Sequence, residues 1–193
     1  MRKYTPIIGL LHRVILVVWM RTCLNMWIFI LKNRFIPNGE LAESEIPAYC
    51  IDYEKSIKRN GGIDIQILGL GLNGHIGFNE PGSKKESLTR KVELSDSTRV
   101  AAKKYFLKKE LVPRYAISMG LQVILEAREI IVMAWGEQKA DIVKECIEGE
   151  VSRRIPGSFL QTHSNVKVIL DAAAASKLNK EQISLVETNL SKT

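Results

Sequence analysis

The chain has 193 residues, 46% of them hydrophobic and 25% charged, which suits one well-buried domain and is short for two. Its net charge of +7 is uneven: six of the 28 basic residues lie in residues 1–39, which hold no Asp or Glu, leaving 22 basic against 21 acidic side chains elsewhere. A near-neutral body without basic runs interleaved with aromatics argues against a nucleic-acid partner. Three cysteines (Cys23, Cys50, Cys146) without C-x-x-C spacing argue against a disulfide framework or a zinc site and fit a reducing, cytoplasmic setting.

Residues 1–36 form a basic, apolar segment apart from the rest. Within it, residues 7–30 are strongly apolar, but His12, Arg13, Arg21 and Asn25 interrupt them. No run approaches the ~20 apolar residues of a membrane-spanning helix, and no signal-peptide pattern is clear, so a membrane partner is not expected. From residue 37 to 193 the chain reads as one α/β domain. Residues 63–68 (IDIQIL) alternate and close on Gly69, the pattern of a strand. Residues 90–94 form a second short strand, and Ser95 or Asp96 caps a helix over 97–106. Residues 116–119 suggest a strand before Gly120, and residues 121–128 a short helix. The continuous apolar run 130–135 (IIVMAW) is that of a strand buried on both faces. A helix over 137–147 follows, then a helical turn near 158–161 opened by Pro156 and Gly157. A last strand at 166–171 precedes a short helix over 172–178 and a polar tail. Strands alternating with helices predict a mostly parallel sheet with helices on both faces.

The chemistry concentrates in GLGLNGHIGFNEPG, residues 69–82. Its first six residues spell G-x-G-x-x-G, but a dinucleotide loop needs its third glycine to open a helix. His75, Gly77, Pro81 and Gly82 cannot continue one. The alternative is a loop at the carboxyl end of a parallel strand, where α/β folds place their sites. It presents Asn73, His75 and Glu80 within eight residues, and a histidine beside a carboxylate suits proton transfer near neutral pH.

Residues 68–82 resemble the signature loop of the glucosamine-6-phosphate deaminase (isomerase) family. The resemblance runs on through SDSTRVA (95–101), PRYAISMG (113–120), ARE (127–129), WGEQKA (135–140) and PGSFLQTH (156–163). It implies a three-layer α/β/α fold with a mostly parallel, Rossmann-like sheet. It also implies amino-sugar (N-acetylglucosamine) catabolism without a cofactor or metal: an amino-sugar 6-phosphate, gluco or galacto, is ring-opened, isomerised and deaminated. By the same resemblance His75 moves the ring-opening proton, Glu80 and Asn73 orient it, and Lys104 and Lys139 meet the phosphate. Because an amide adds no charge, the pKa of His75 should depend mainly on Glu80. The family's opening strand, phosphate loop and helix are not visible, nor is the Asp that serves as base at C2. The expectation is therefore a chain lacking that first strand-loop-helix, with one flank of the sheet uncovered. A chain that only binds sugar phosphate is the second reading. A homo-oligomer is compatible with either, since the family ranges from monomers to hexamers.

Overall fold

The computed structural model describes residues 35–103 and 112–179. In chain order the elements are α1 (Ile46–Arg59), β1 (Ile65–Gly69), β2 (Arg90–Glu93), α2 (Asp96–Ala102), β3 (Tyr115–Ser118), α3 (Leu121–Leu125) and β4 (Glu129–Ala134), then a 3-10 turn (Glu137–Lys139), α4 (Ala140–Ile147), a second 3-10 helix (Pro156–Thr162) and β5 (Val166–Leu170). They belong to two compact units. One takes in the described residues of Met1–Ser56 and Thr89–Ser118, the other those of Ile57–Leu88 and Met119–Thr193. The α/β class and the parallel sheet expected from the sequence are borne out. Residues 7–30 lie outside the described residues, among which no helix is long and apolar enough to cross a membrane.

The second unit carries the parallel sheet, in strand order β1-β4-β5. Leu68 pairs with Val132 and Val132 with Val168, so alternate residues of all three strands line one face. That face holds Leu68, Ile130, Val132, Ala134, Val166, Val168 and Leu170, and it packs with Leu121 and Ile124 of α3 and Val143 and Cys146 of α4. The opposite face is far more open: Ile65, Ile67 and Ile169 are 54%, 41% and 48% exposed. The expectation for residues 130–135 is thereby corrected. Ile130, Val132 and Ala134 are buried while Ile131 and Met133 are only half-buried, because β4 is covered fully on one side alone. A cavity of about 380 Å³ sits on the packed side, lined mainly by apolar groups such as Val132, Val143, Cys146, Val168 and Leu170. Burial pushes the Cys146 thiol up to about 12, so it behaves as a small apolar side chain.

In the first unit, β2 and β3 pair with each other, antiparallel, Arg90 opposite Ser118 and Glu93 opposite Tyr115. The strands expected at 90–94 and 116–119 therefore exist but form their own ribbon. Helix α1 was not anticipated from the sequence, although Ile46, Cys50, Tyr53 and Ile57 recur at helical spacing. Its Ile46 and Cys50 are buried with Ile117 of β3. Ser95 caps α2 by accepting the Thr98 amide at 3.2 Å.

Two expected helices differ in form. Residues 137–147 begin as a 3-10 turn, because the Lys139 amide bonds to the Gly136 carbonyl at 3.0 Å, and become α-helical only at Ala140. Residues 172–177 are successive turns and not a helix. The Asp171 carboxylate accepts the Ala174 amide at 2.8 Å as an N-cap would, but the Ser176 and Leu178 amides bond only three residues back, to the Ala173 and Ala175 carbonyls, so no α-helix propagates.

Candidate active site

Because β1, β4 and β5 run parallel, their carboxyl ends share one edge of the sheet, where such folds bind ligands. The loop after β1 turns back at once: the Gly71 amide donates to the His75 carbonyl at 2.9 Å and the Gly74 amide to the Gly71 carbonyl at 3.0 Å. Gly74 has φ +79°, a left-handed conformation that side-chain-bearing residues rarely adopt. Ile76 and Asn79 are fully buried and anchor the loop. The Asn79 amide nitrogen donates to the carbonyls of Ile76 (3.1 Å) and Met119 (2.9 Å). The sequence does not mark Asn79 for this role, because Asn73, His75 and Glu80 in the same glycine-rich loop are equally polar and burial alone sets it apart.

On this frame the three side chains form a relay. The Asn73 amide nitrogen donates to Glu80 Oε2 at 2.7 Å, and Asn73 Oδ1 lies 2.7 Å from His75 Nδ1. An ionised carboxylate only accepts, so the amide nitrogen of Asn73 must face Glu80 and its oxygen must face the imidazole. That orientation makes Nδ1 the protonated ring nitrogen and leaves Nε2 with its lone pair. Glu80 Oε2 is also 3.5 Å from His75 Nδ1. The side chains of His75 and Glu80 are 17% and 15% exposed, enough for contact with a ligand but largely desolvated.

The expectation that Glu80 chiefly sets the His75 pKa is corrected by this burial. Desolvation is the largest influence and lowers the pKa below the usual 6.5; Glu80 opposes it, and the Lys139 charge adds to the lowering. His75 is thus held neutral near pH 7, the form able to accept a proton at Nε2. An Asn73→Asp chain should place a second carboxylate on Nδ1 and raise the His75 pKa. Proton NMR titration of the imidazole C2–H would show this as a midpoint displaced to higher pH relative to the unaltered chain. An unmoved midpoint would mean that Asn73 does not face the ring in solution.

Lys139 reaches the same edge from the turn after β4. Its Nζ donates to the Leu70 carbonyl at 2.6 Å, and burial lowers its pKa. Of the expected site residues, Asn73, His75, Glu80 and Lys139 therefore come together, and Lys104 lies outside the described residues. The cavity beside Cys146 is a poor candidate for a charged ligand, since a sugar phosphate requires convergent cations and polar groups. Among the described residues no group of three or more His, Cys, Asp or Glu could hold a metal ion.

A family model described as glucosamine-6-phosphate isomerases/6-phosphogluconolactonase matches residues 21–169. A glucosamine-6-phosphate deaminase of Listeria monocytogenes is 52% identical over 147 residues, 76% of this chain and 62% of the relative. That of Pediococcus pentosaceus is 51% identical over 150 residues, 78% and 62%. A solved structure described as a monomeric glucosamine-6-phosphate deaminase, a missing link of the NagB superfamily, superposes with a TM-score of 0.72 at 43% identity, covering 76% of this chain and 60% of that one. The chain thus spans less than two thirds of the length of the relatives it matches. On the strength of that match, the chain belongs to the glucosamine-6-phosphate isomerase/6-phosphogluconolactonase family.

Proposed function

We propose that the chain binds an amino-sugar 6-phosphate at the carboxyl edge of its parallel sheet and that His75 carries the proton that opens the sugar ring. The observation carrying this reading is the relay Glu80–Asn73–His75, with Lys139 close enough to perturb the imidazole. Ring opening removes the proton of the C1 hydroxyl and returns one to the ring oxygen as the C1–O5 bond breaks and the carbonyl forms. Neutral His75, with Nε2 unprotonated, takes the first proton and returns it as the second. Lys139 supplies the cation for the phosphate, and Lys104 is assigned the same task from the family resemblance. A base at C2 then converts the open aldehyde to an enol amine. Hydrolysis of its imine tautomer yields the ketose 6-phosphate and ammonia, a step in amino-sugar catabolism in the cytoplasm that uses no redox cofactor. The name glucosamine-6-phosphate deaminase carried by the relatives supports assigning the gluco sugar, over its galacto epimer, as the substrate.

Ammonia release from glucosamine 6-phosphate and galactosamine 6-phosphate by the purified chain, beside a His75→Ala control, tests the reading. Loss of the general base should lower the rate about 10²- to 10⁴-fold. Undiminished ammonia release from His75→Ala would remove the histidine from the mechanism. A folded chain that binds the sugar phosphate but releases no ammonia would favour the binding-only reading.

A further inference from the structure

Asp171 follows β5 directly, at the edge where the relay sits, and no role was assigned to it from the sequence. Both carboxylate oxygens accept from the Gly136 amide, at 3.1 and 3.0 Å. Gly136 has φ +87°, so it makes a turn that few other residues could make. Its carbonyl accepts the Lys139 amide at 3.0 Å, and the Lys139 ammonium reaches back to the Leu70 carbonyl at 2.6 Å. A continuous chain of bonds thus links Asp171 to Gly136, Gly136 to Lys139, and Lys139 to the start of the His75 loop. We propose that Asp171 is a positioning residue for the phosphate end of the site, clamping the Gly136 turn so that Lys139 is aimed at the edge holding His75. This rests on the functional reading above for the identity of the ligand, but not for the clamp itself.

The carboxylate acts on backbone and does not neutralise the ammonium, which gives one of its three donors to the Leu70 carbonyl and keeps two for an anion; set directly against the phosphate the carboxylate would repel it. Its removal leaves the Gly136 amide without this anchor and lets the turn, with Lys139, sample other positions. Asparagine keeps one acceptor oxygen and should preserve most of the clamp.

The test uses the full chain and its Asp171→Ala, Asp171→Asn, Lys139→Ala and Asp171→Ala/Lys139→Ala variants, each checked for folding by circular dichroism. KM and kcat for glucosamine 6-phosphate are measured, with the rate of reductive methylation at Lys139 relative to exposed Lys167. Asp171→Ala should raise KM about tenfold with kcat within about twofold, since the charge-assisted acceptor of the Gly136 amide, which orients a binding group, is lost together with that of the Ala174 amide. Asp171→Asn should recover most of that, and in the Lys139→Ala background the Asp171 change should add nothing. The methylation ratio should rise several-fold in Asp171→Ala, as an ammonium released from Leu70 becomes more accessible. Additive effects on KM, or a methylation ratio unmoved by Asp171→Ala, overturn the proposal. A chain that neither turns over nor binds the sugar phosphate defeats the functional reading alone, and the methylation ratio then decides the clamp.

Discussion

A Gly71→Ala chain is expected to lose ring opening while keeping every chemical group of the relay. A β-carbon at Gly71 would fall 2.3 Å from both Cε1 and Nδ1 of His75 and 2.6 Å from its Cγ. Such contacts cannot be accommodated with the imidazole where it stands. The backbone cannot readily drift away either, because the Gly71 amide is bonded to the His75 carbonyl at 2.9 Å. The ring must swing out, breaking the 2.7 Å contact between Nδ1 and Asn73 Oδ1 and losing the orientation of Nε2. The expected loss equals that of removing the base, about 10²- to 10⁴-fold. Combining Gly71→Ala with His75→Ala should add little, since both act on one group. Anomer exchange of the sugar phosphate followed by NMR reads ring opening separately from the C2 step. Exchange within a few-fold of the unaltered chain would show that the imidazole does not work from its place beside Gly71.

Gly120→Ala should be the costliest single-methyl change in the described fold. Gly120 precedes α3, and its β-carbon would lie 1.9 Å from the Ser87 carbonyl oxygen, 2.3 Å from the Ser87 carbonyl carbon and 2.5 Å from the Leu88 oxygen. All three are backbone atoms, which no rotamer change can move. The close approach is bonded, with the Gln122 amide donating to the Ser87 carbonyl at 3.1 Å. The backbone at Gly120 has φ −75° and suits any residue, so the cost is steric and not conformational. Gly120 is the N-cap of α3, a position where alanine is also less favourable than glycine, so helix propensity gives no compensation. Relief requires moving the Ser87 segment away from α3, whose Leu121 and Ile124 are core residues. Destabilisation of about 3 kcal/mol is expected, as for severe overpacking. That corresponds to a fall in Tm of roughly 6–12 °C for a chain of this size. Denaturant unfolding would measure it; a change below about 1 kcal/mol would mean that these two segments are not so close in solution.

What could be read from the sequence was local. Asn73, His75 and Glu80 fall within one glycine-bounded turn, so their spacing alone brings them within bonding reach. The strands β4 and β5 were visible as runs of Val, Ile, Leu and Met, each ending at a turn signal. Helix α2 was visible from Ser95, because a cap bonds to the amide three residues on. Lys139 was found only through the family pattern; its bond to Leu70 spans 69 residues, and no spacing along the chain implies it.

The tertiary structure decided the remainder. It paired β2 with β3 in a ribbon of their own, since sequence periodicity says that a strand exists but not which edge it meets. It set Asp171 against Gly136 across 35 residues, and it turned an apparent helix after β5 into a run of turns. It reversed the expected control of His75, because desolvation depends on what the rest of the chain packs around a group, whereas the neighbouring carboxylate is a matter of a few residues. The sequence by itself determined which groups stand in the loop and that a strand leads into it; packing decided their protonation, their aim and what holds them, because those depend on contacts between residues far apart in the chain.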